Sequence, residues 1–223
     1  MNIGYVIKHV GGALVFFSII FISAGHVDYW QGLLYLAIGL VMSIVSLTLL
    51  RPDTTLQHER SAPGKNIKTW DKVILGLSLL TTISMYVVAG LDSGRFHWSP
   101  DFPLSVILLG ALLTGAGQLL FLIAQKQNKF FSSVVRIQSE RDHKVCDTGL
   151  YASVRHPAYM GSLIQVIGFP LIFGSMWSVV PVCVSIVLLI ARTYLEDRTL
   201  YRELPGYQEY TARVRYRLIP LVW

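Results

Sequence analysis

Long apolar runs dominate the pattern of hydrophobic and polar positions along this chain. Four runs lie before residue 125 and consist almost entirely of hydrophobic and small residues: Tyr5–Gly25, Gly32–Leu50, Val73–Leu91 and Leu104–Ala124. Each approaches or reaches the roughly 20 residues that a helix needs to cross a bilayer core of about 30 Å. The pattern therefore predicts four membrane-spanning helices in this half of the chain.

A fifth apolar block, Met160–Leu195, is too long for one span. The stretch from Phe169-Pro170 to Met176-Trp177 divides this block, and we predict a tight hairpin of two helices. The predicted fold is an all-α integral membrane protein with about six transmembrane helices. Residues 1–125 form a four-span membrane scaffold, and residues 126–223 add a polar loop, the hairpin and a C-terminal lid to the same integrated domain.

Composition and charge support a membrane protein. Hydrophobic residues make up 53% of the 223 residues and charged residues only 14%, whereas a soluble domain carries about 25% charged residues. With six spans and both termini inside, 18 of the 19 Lys and Arg residues lie on one side, and Arg95 is the exception. Positively charged loops stay cytoplasmic, so both termini are expected in the cytoplasm. This bias accounts for the net charge of +6, and no nucleic-acid partner is expected.

Two polar clusters flank the predicted hairpin and would meet at one membrane face. The first contains Tyr151, Arg155, His156, Pro157, Tyr159 and Gly161. The second contains Arg192, Tyr194, Glu196, Asp197 and Arg198, followed by Tyr207, Tyr210, Arg213, Arg215 and Arg217. Pro205-Gly206 ends a helix, so the segment after it can fold over the membrane mouth as a lid. Cations and carboxylates beside aromatic rings suit a charged, heterocycle-bearing cofactor.

Other chemistries find weaker support in the same region. His143, Cys146, Asp147 and His156 match no zinc-binding spacing, so no metal is expected. A nucleophilic pair of Ser153 and His156 lacks a third orienting group. The loop residues His58, Glu59 and Arg60 are predicted to form a solvated face at the cytoplasmic surface, with contact to a substrate as the alternative.

The motifs around the hairpin resemble the isoprenylcysteine carboxyl methyltransferase family, which is similar to the membrane phospholipid N-methyltransferases. The resemblance covers about the last 75 residues, and the four earlier spans match only in being hydrophobic. The matching motifs are Gly149-Leu150-Tyr151, Arg155-His156-Pro157-Ala158-Tyr159-Met160-Gly161, Glu196-Asp197 with Leu200, Gly206-Tyr207 with Tyr210, and Arg217-Leu218-Ile219-Pro220.

This resemblance implies that S-adenosylmethionine binds on the cytoplasmic side, with the C-terminal helices capping its pocket. The cofactor-binding residues that it implies are Tyr151, Arg155, His156, Pro157, Tyr159, Gly161, Glu196, Asp197, Tyr207 and Tyr210. Glu196 would take the ribose or amino group of the cofactor. Asp197 stands where the family usually has a second Glu, and its shorter side chain reaches less far.

The acceptor implied by the family is lipophilic and enters sideways from the bilayer, with the carboxylate of a prenylcysteine-like substrate favoured. Such a carboxylate needs no general base, and Arg192 is expected to orient it by bidentate contact. The catalytic residues are therefore predicted to be Arg192 and Glu196. A lipid amine acceptor would instead have to lose a proton, to Glu196 or His156.

Two other functions stay open at this stage. Sterol-type reductases have a similar C-terminal pattern and bind NADPH, but their longer scaffold of many spans has no counterpart here. A non-enzymatic membrane protein with the same fold is the other alternative. The expected location is a multi-pass position in a membrane, and the compact size favours a bacterial or archaeal inner membrane.

Overall fold

The structure, a computed structural model, describes residues 3–48, 59 and 67–223, with the main chain alone for residues 3–10, 13 and 48. Of the predicted loop face, His58 and Arg60 lie outside the described residues. Within the described ranges the fold is all-helical, as predicted, and contains no β-strand. Its helices are α1 (Ile3–Ala24), α2 (Trp30–Thr48), α3 (Thr69–Ala89), α4 (Leu104–Gln127), α5 (Pro157–Phe173), α6 (Val179–Glu203) and α7 (Tyr207–Arg213).

Four stretches of helix are long and apolar enough to cross a membrane. They are Trp30–Leu47, Thr69–Phe96, Leu104–Gln127 and Val179–Glu203, the second of which includes the π-helical segment Gly90–Phe96 that continues α3. The apolar stretches Leu14–Ala24 and Pro157–Phe173 are shorter. Because α5 has 17 residues, it rises only about 26 Å, slightly less than a bilayer core. The count of six spans stays a prediction.

The connection between α5 and α6 is narrower than the predicted division. Helix α5 continues through Phe169-Pro170 and ends at Phe173, and α6 begins at Val179. Pro170 removes one backbone N–H from the helix without ending it. The helix ends where Gly174 adopts φ +62°, a left-handed conformation that glycine reaches without steric cost.

Glycine residues bring α4 and α5 into direct backbone contact. A Cβ atom on Gly117 would lie 2.5 Å from the Gly161 carbonyl oxygen, and a Cβ on Gly161 would lie 2.6 Å from the Gly117 carbonyl oxygen. Gly110 and Gly168 form a second such contact farther along the same helix pair. Small residues at a helix interface allow this approach in membrane proteins. Gly161 therefore serves helix packing, and its predicted approach to a cofactor stays a prediction.

A buried carboxylate, Asp92, stabilises the end of the bundle where α5 connects to α6. Asp92, in the π-helical segment after α3, is fully buried and accepts hydrogen bonds from the hydroxyls of Ser99 (2.7 Å) and Ser175 (2.6 Å). The Trp177 backbone N–H also donates to it at 3.2 Å. These bonds tie the end of α3 to the connection between α5 and α6, so the position of that connection is fixed.

We expect Gly117→Ala to destabilise the protein by about 1–3 kcal/mol, because the added methyl group has no room between α4 and α5. Gly115→Ala is the matched control in the same helix, since its Cβ would meet only the Met42 Cε atom at 3.9 Å. Gly115→Ala should be neutral or stabilising, because alanine favours helix more than glycine does. Thermal unfolding in detergent measures both variants, and equal effects would contradict the close contact.

Candidate active site

A cavity of about 290 Å³ lies at the polar ends of α5 and α6, covered by α7 and by the segment between α4 and α5. Eight of the eleven predicted site residues line this cavity. Those eight are Tyr151, Arg155, His156, Tyr159, Arg192, Glu196, Tyr207 and Tyr210. The two polar clusters that flank the hairpin in the sequence are therefore neighbours in the fold. The role of each lining residue stays a prediction.

Three predicted cofactor-binding residues lie behind the cavity wall. Pro157 is fully buried at the first position of α5, where its missing N–H leaves no helical hydrogen bond unmade. Gly161 faces the backbone of α4, as described above. Asp197 is buried on a different side of α6 from Glu196, because successive residues of a helix point about 100° apart. In this structure these three residues pack against or hold their neighbours, and their contact with a cofactor stays a prediction.

Asp197 is the centre of a buried polar cluster. Its Oδ1 accepts hydrogen bonds from the Tyr207 hydroxyl (2.9 Å) and His156 Nε2 (3.3 Å). Its Oδ2 accepts a hydrogen bond from Arg217 Nε at 2.7 Å, and Arg155 Nε lies 3.2 Å from Oδ1. This one carboxylate joins α6 to the start of α5, to α7 and to the C-terminal segment.

Backbone hydrogen bonds secure the same junction. The N–H groups of Arg155 and His156 donate to the carbonyl oxygens of Tyr216 and Arg217, each at 2.9 Å. The Tyr210 hydroxyl donates to the Tyr151 carbonyl at 2.7 Å. Helix α7 therefore lies against the cavity, and these buried hydrogen bonds hold it and the C-terminal segment in place. The lid role of these segments stays a prediction.

The centre of the cavity wall is a contact between a phenol and a carboxylate. The Tyr159 hydroxyl donates a short hydrogen bond to Glu196 Oε2, and the His156 ring stacks on the Tyr159 ring with 5.7 Å between centroids. Glu196 is the one carboxylate that the described residues contribute to the cavity lining. It is thus placed to accept hydrogen bonds from a bound polar group.

Arg192 is already engaged by a residue that the sequence analysis missed. Its Nε and Nη2 donate to the two Asp71 carboxylate oxygens at 2.8 and 3.3 Å, and Nη2 also donates to the Ser133 carbonyl at 3.1 Å. Its guanidinium lies 5.5 Å from the centre of the Tyr159 ring. Asp71 thus occupies the Nε–Nη2 edge of Arg192 in this structure, and the contact of Arg192 with an acceptor carboxylate stays a prediction.

The segment between α4 and α5 forms a wall that sequence reasoning described only as polar and partly extended. Phe130, Phe131 and Arg136 line the cavity, and the Val135 N–H donates to Asp71 at 2.7 Å. The adjacent Phe130 and Phe131 were a usable signal, since exposed aromatic pairs in a polar loop need a packing partner. Asp71 gave no such signal, because a carboxylate at the start of a helix is common.

Glu59 supports this wall from outside the apolar runs. Predicted to belong to a solvated face, it is 95% buried, and it accepts hydrogen bonds from Arg136 Nε (2.9 Å) and Nη2 (2.8 Å). Burial acts to raise the pKa of the Glu59 carboxyl, but hydrogen bonds from Arg136 and Ser132 outweigh it and hold that pKa below its usual value. The prediction for Glu59 was wrong because its partner lies 77 residues away.

His143 forms a neutral part of the same wall. Its ring stacks on Phe130 with 4.6 Å between centroids, and its Nδ1 accepts the Gln138 N–H at 3.3 Å. Burial, with a smaller effect from the nearby charges of Arg141 and Arg136, lowers the pKa of His143 to about 4. Across the described residues, no group of three or more His, Cys, Asp and Glu side chains is placed to hold a metal ion.

Removing Asp71 should expose the charge of Arg192. We expect Asp71→Asn to destabilise the protein by about 3–5 kcal/mol, because it leaves a largely buried guanidinium without its counter-charge. The paired variant Asp71→Asn/Arg192→Met should recover part of that loss. Thermal unfolding of the two single variants and the double variant forms a double-mutant cycle, and additive effects would show that the pair is not coupled.

Lower pH should weaken the fold through His143. Its folded-state pKa of about 4 lies below the ordinary value of 6.5, so its contribution is complete above pH 6.5 and declines as the pH falls towards 4. We expect the thermal midpoint of the protein to fall between pH 6.5 and pH 4.5, and His143→Gln to show a smaller fall. An unchanged pH profile in the variant would exclude His143 as the cause.

Most residues that line the cavity lie in a part of the chain that resembles a known family. Residues 105–204 match the family described as phospholipid methyltransferase. Three curated relatives are named protein-S-isoprenylcysteine O-methyltransferase: form B of Arabidopsis thaliana (26% identical over 119 residues), that of Saccharomyces cerevisiae (31% over 97 residues) and that of Tribolium castaneum (26% over 121 residues). These matches confirm the resemblance to the isoprenylcysteine carboxyl methyltransferase family.

The matches cover part of each protein. They include 52%, 43% and 54% of this chain and 57%, 38% and 38% of the respective relatives. The chain thus spans about half the length, or less, of the curated relatives it matches. The matched family region contains all of α5 and α6 and nearly all of α4. Together with its long apolar helices, this likeness supports a multi-pass membrane protein.

Proposed function

We propose that this chain is a membrane methyltransferase, because it resembles the isoprenylcysteine carboxyl methyltransferase family. It transfers a methyl group from S-adenosylmethionine to a lipophilic acceptor, with the carboxylate of a prenylcysteine-like molecule favoured. The observation that carries the proposal is the cavity itself. It joins Glu196, Tyr159 and His156 at the polar ends of apolar helices, inside the region that matches the methyltransferase family.

The side chains in the cavity fit the proposed cofactor. The cavity of about 290 Å³ lies at the lower end of ligand pockets, which span roughly 300–1,000 Å³. Aromatic rings along its wall suit a purine ring and a sulfonium cation, which tyrosine faces stabilise by cation–π attraction. Glu196 would accept hydrogen bonds from ribose hydroxyls or an amino group, and Arg155 would face a carboxylate.

The residues of the chain would act by alignment more than by proton transfer. When bound, S-adenosylmethionine supplies an electrophilic methyl group. A carboxylate acceptor needs no general base, so the cavity has to hold the acceptor in line and exclude water. Tyr207 and Tyr210 would exclude water from the side of α7. Arg192 would act through its positive field and Nη1, since Asp71 holds its other edge.

The membrane arrangement that accompanies this function has six spans with both termini in the cytoplasm. The lid helices and the cavity would then lie on the cytoplasmic side, and the acceptor would enter sideways from the bilayer. Exposed apolar side chains of α4, such as Leu108 (53% exposed) and Leu112 (66% exposed), would face the lipid from which the acceptor comes. A bacterial or archaeal inner membrane is the proposed location.

Methylation of a lipid amine is the second candidate, and the phospholipid methyltransferase match favours it. The amine would have to lose a proton before or during transfer. Glu196, hydrogen-bonded by Tyr159, is the carboxylate in the described cavity wall that is placed to accept one. Supplying either a farnesylated cysteine or a phosphatidylethanolamine in the assay distinguishes the two acceptors.

Calorimetric titration of the detergent-purified protein with S-adenosylmethionine tests the proposal. We expect saturable binding that weakens about 10-fold or more in Glu196→Gln, because hydrogen bonds to a charged group contribute about 1.5–3 kcal/mol. Glu203→Gln is the matched control on the same helix, since Glu203 pairs with Lys68 and does not line the cavity. It should leave binding unchanged.

Two results would contradict the proposed function. Failure of the folded wild-type protein to bind S-adenosylmethionine would remove the methyl donor from the scheme. Binding of NADPH alone would instead indicate the reductase function. Equal weakening in Glu196→Gln and Glu203→Gln would show that a general loss of negative charge, rather than the cavity carboxylate, controls binding.

A further inference from the structure

A second, cationic groove lies behind the cavity wall. Four arginines and one carboxylate line it, and Tyr194 and Tyr201 flank it. These charged residues are Arg155, Arg198, Arg215, Arg217 and Asp197. The single carboxylate is already shared among Arg155, Arg217 and His156. Because four guanidinium groups face a single carboxylate, the groove has a net charge of +3.

Two arginines of this groove, Arg198 and Arg215, have no carboxylate partner within the described part of the chain. Both side chains are exposed. Arg155 is 92% buried, yet its Nε makes no hydrogen bond. Its 3.2 Å approach to Asp197 Oδ1 is an ion-pair distance without hydrogen-bond alignment. A buried guanidinium in this state favours an anionic ligand.

The surface of α6 indicates what kind of anion binds. An outward-facing apolar stripe runs along this helix and leads to the groove at its polar end. The stripe consists of Val180, Val184, Val187, Ile190 and Tyr194, which are 41–64% exposed, and it continues through Arg198 to Tyr201. At 100° per residue these positions lie within one arc of about 120°. Acyl chains along the stripe would place a lipid headgroup directly at Arg198.

The charge pattern of α6 sets the depth of this groove in the membrane. Its residues 179–191 carry no charge, whereas 194–203 carry five charged side chains. The boundary between hydrocarbon and water thus falls near Arg192, and Tyr194 and Tyr201 lie at the level where tyrosines anchor helices to the interface. Arginines at this level attract anionic headgroups from the adjoining leaflet.

We propose that the groove binds the phosphate of an anionic phospholipid whose acyl chains lie along α6. The lipid is a non-reacting ligand, because Asp197 and its partners separate the groove from Glu196 and Tyr159. Arg155 borders both the groove and the cavity. A headgroup on Arg217 and Arg155 would therefore hold the C-terminal segment, whose backbone supports His156, against α6.

Native mass spectrometry of the full chain tests the site independently of methyl transfer. The detergent-purified protein is titrated with phosphatidylglycerol and with phosphatidylcholine of the same acyl chains. We expect at least one phosphatidylglycerol to bind about 10-fold more tightly than phosphatidylcholine. Arg198→Gln and Arg215→Gln should each weaken its binding about fivefold, the effect of roughly 1 kcal/mol per arginine near an anionic headgroup.

Arg213→Gln is the matched control, two residues from Arg215 in the same exposed segment. Arg213 pairs with Asp147 and does not line the groove, so its loss should leave lipid binding unchanged. Equal weakening by Arg213→Gln, or equal affinity for the two phospholipids, would overturn the proposal. Displacement of the lipid by millimolar inorganic phosphate would also overturn it, since the site would then bind free phosphate.

Discussion

One buried carboxylate, Asp197, organises the C-terminal half of this protein. It joins α6 to the start of α5 through His156, to α7 through Tyr207 and to the C-terminal segment through Arg217. Each partner comes from a different part of the chain, so none of these segments can shift without leaving a buried polar group unpaired. Such a loss costs more than the pair contributes when intact, because the remaining charge stays buried. The cavity depends on this constraint.

The glycine contact between α4 and α5 supplies the rigid support for that junction. Gly117 and Gly161 bring the backbones of α4 and α5 together in the interior of the bundle, and Asp92 ties the far end of α5, at its connection to α6, to the end of α3. Since α5 carries His156 at its start and Tyr159 one turn later, its position fixes both side chains. A methyl group added at the glycine contact would push α5 away from α4 and move the Tyr159 hydroxyl relative to Glu196.

Much of this arrangement follows from local sequence. Uncharged runs such as Gly32–Leu50 predict apolar helices directly, and the break near Gly174 brings two polar clusters to one end of a helix pair. The motif from Arg155 to Tyr159 marked the cavity correctly. These features depend on residues close together in the chain, where periodicity and turn chemistry determine the outcome.

The ion-pair partners of Arg192 and Arg136 were missed because they lie far away in the sequence. Asp71 lies 121 residues from Arg192, and Glu59 lies 77 residues from Arg136. The sequence around a charged residue at a helix end does not show whether that side chain is solvated or paired with a buried partner. The motif from Arg155 to Gly161 also contains residues that do not line the cavity. Pro157 begins α5 and Gly161 contacts the backbone of α4.

Two adjacent acidic residues on α6 show how one helix serves two surfaces. Glu196 faces the cavity and receives the Tyr159 hydroxyl, whereas Asp197, about 100° around the helix, borders the arginine groove. The proposed cofactor and the proposed lipid would therefore contact two different faces of α6. Because Asp197 also holds His156 and Tyr207, a charge placed in the groove acts on residues that line the cavity. A longer acidic side chain at position 197 would disturb this cluster, because the Asp197 carboxylate already receives Tyr207, His156 and Arg217 at hydrogen-bonding distance.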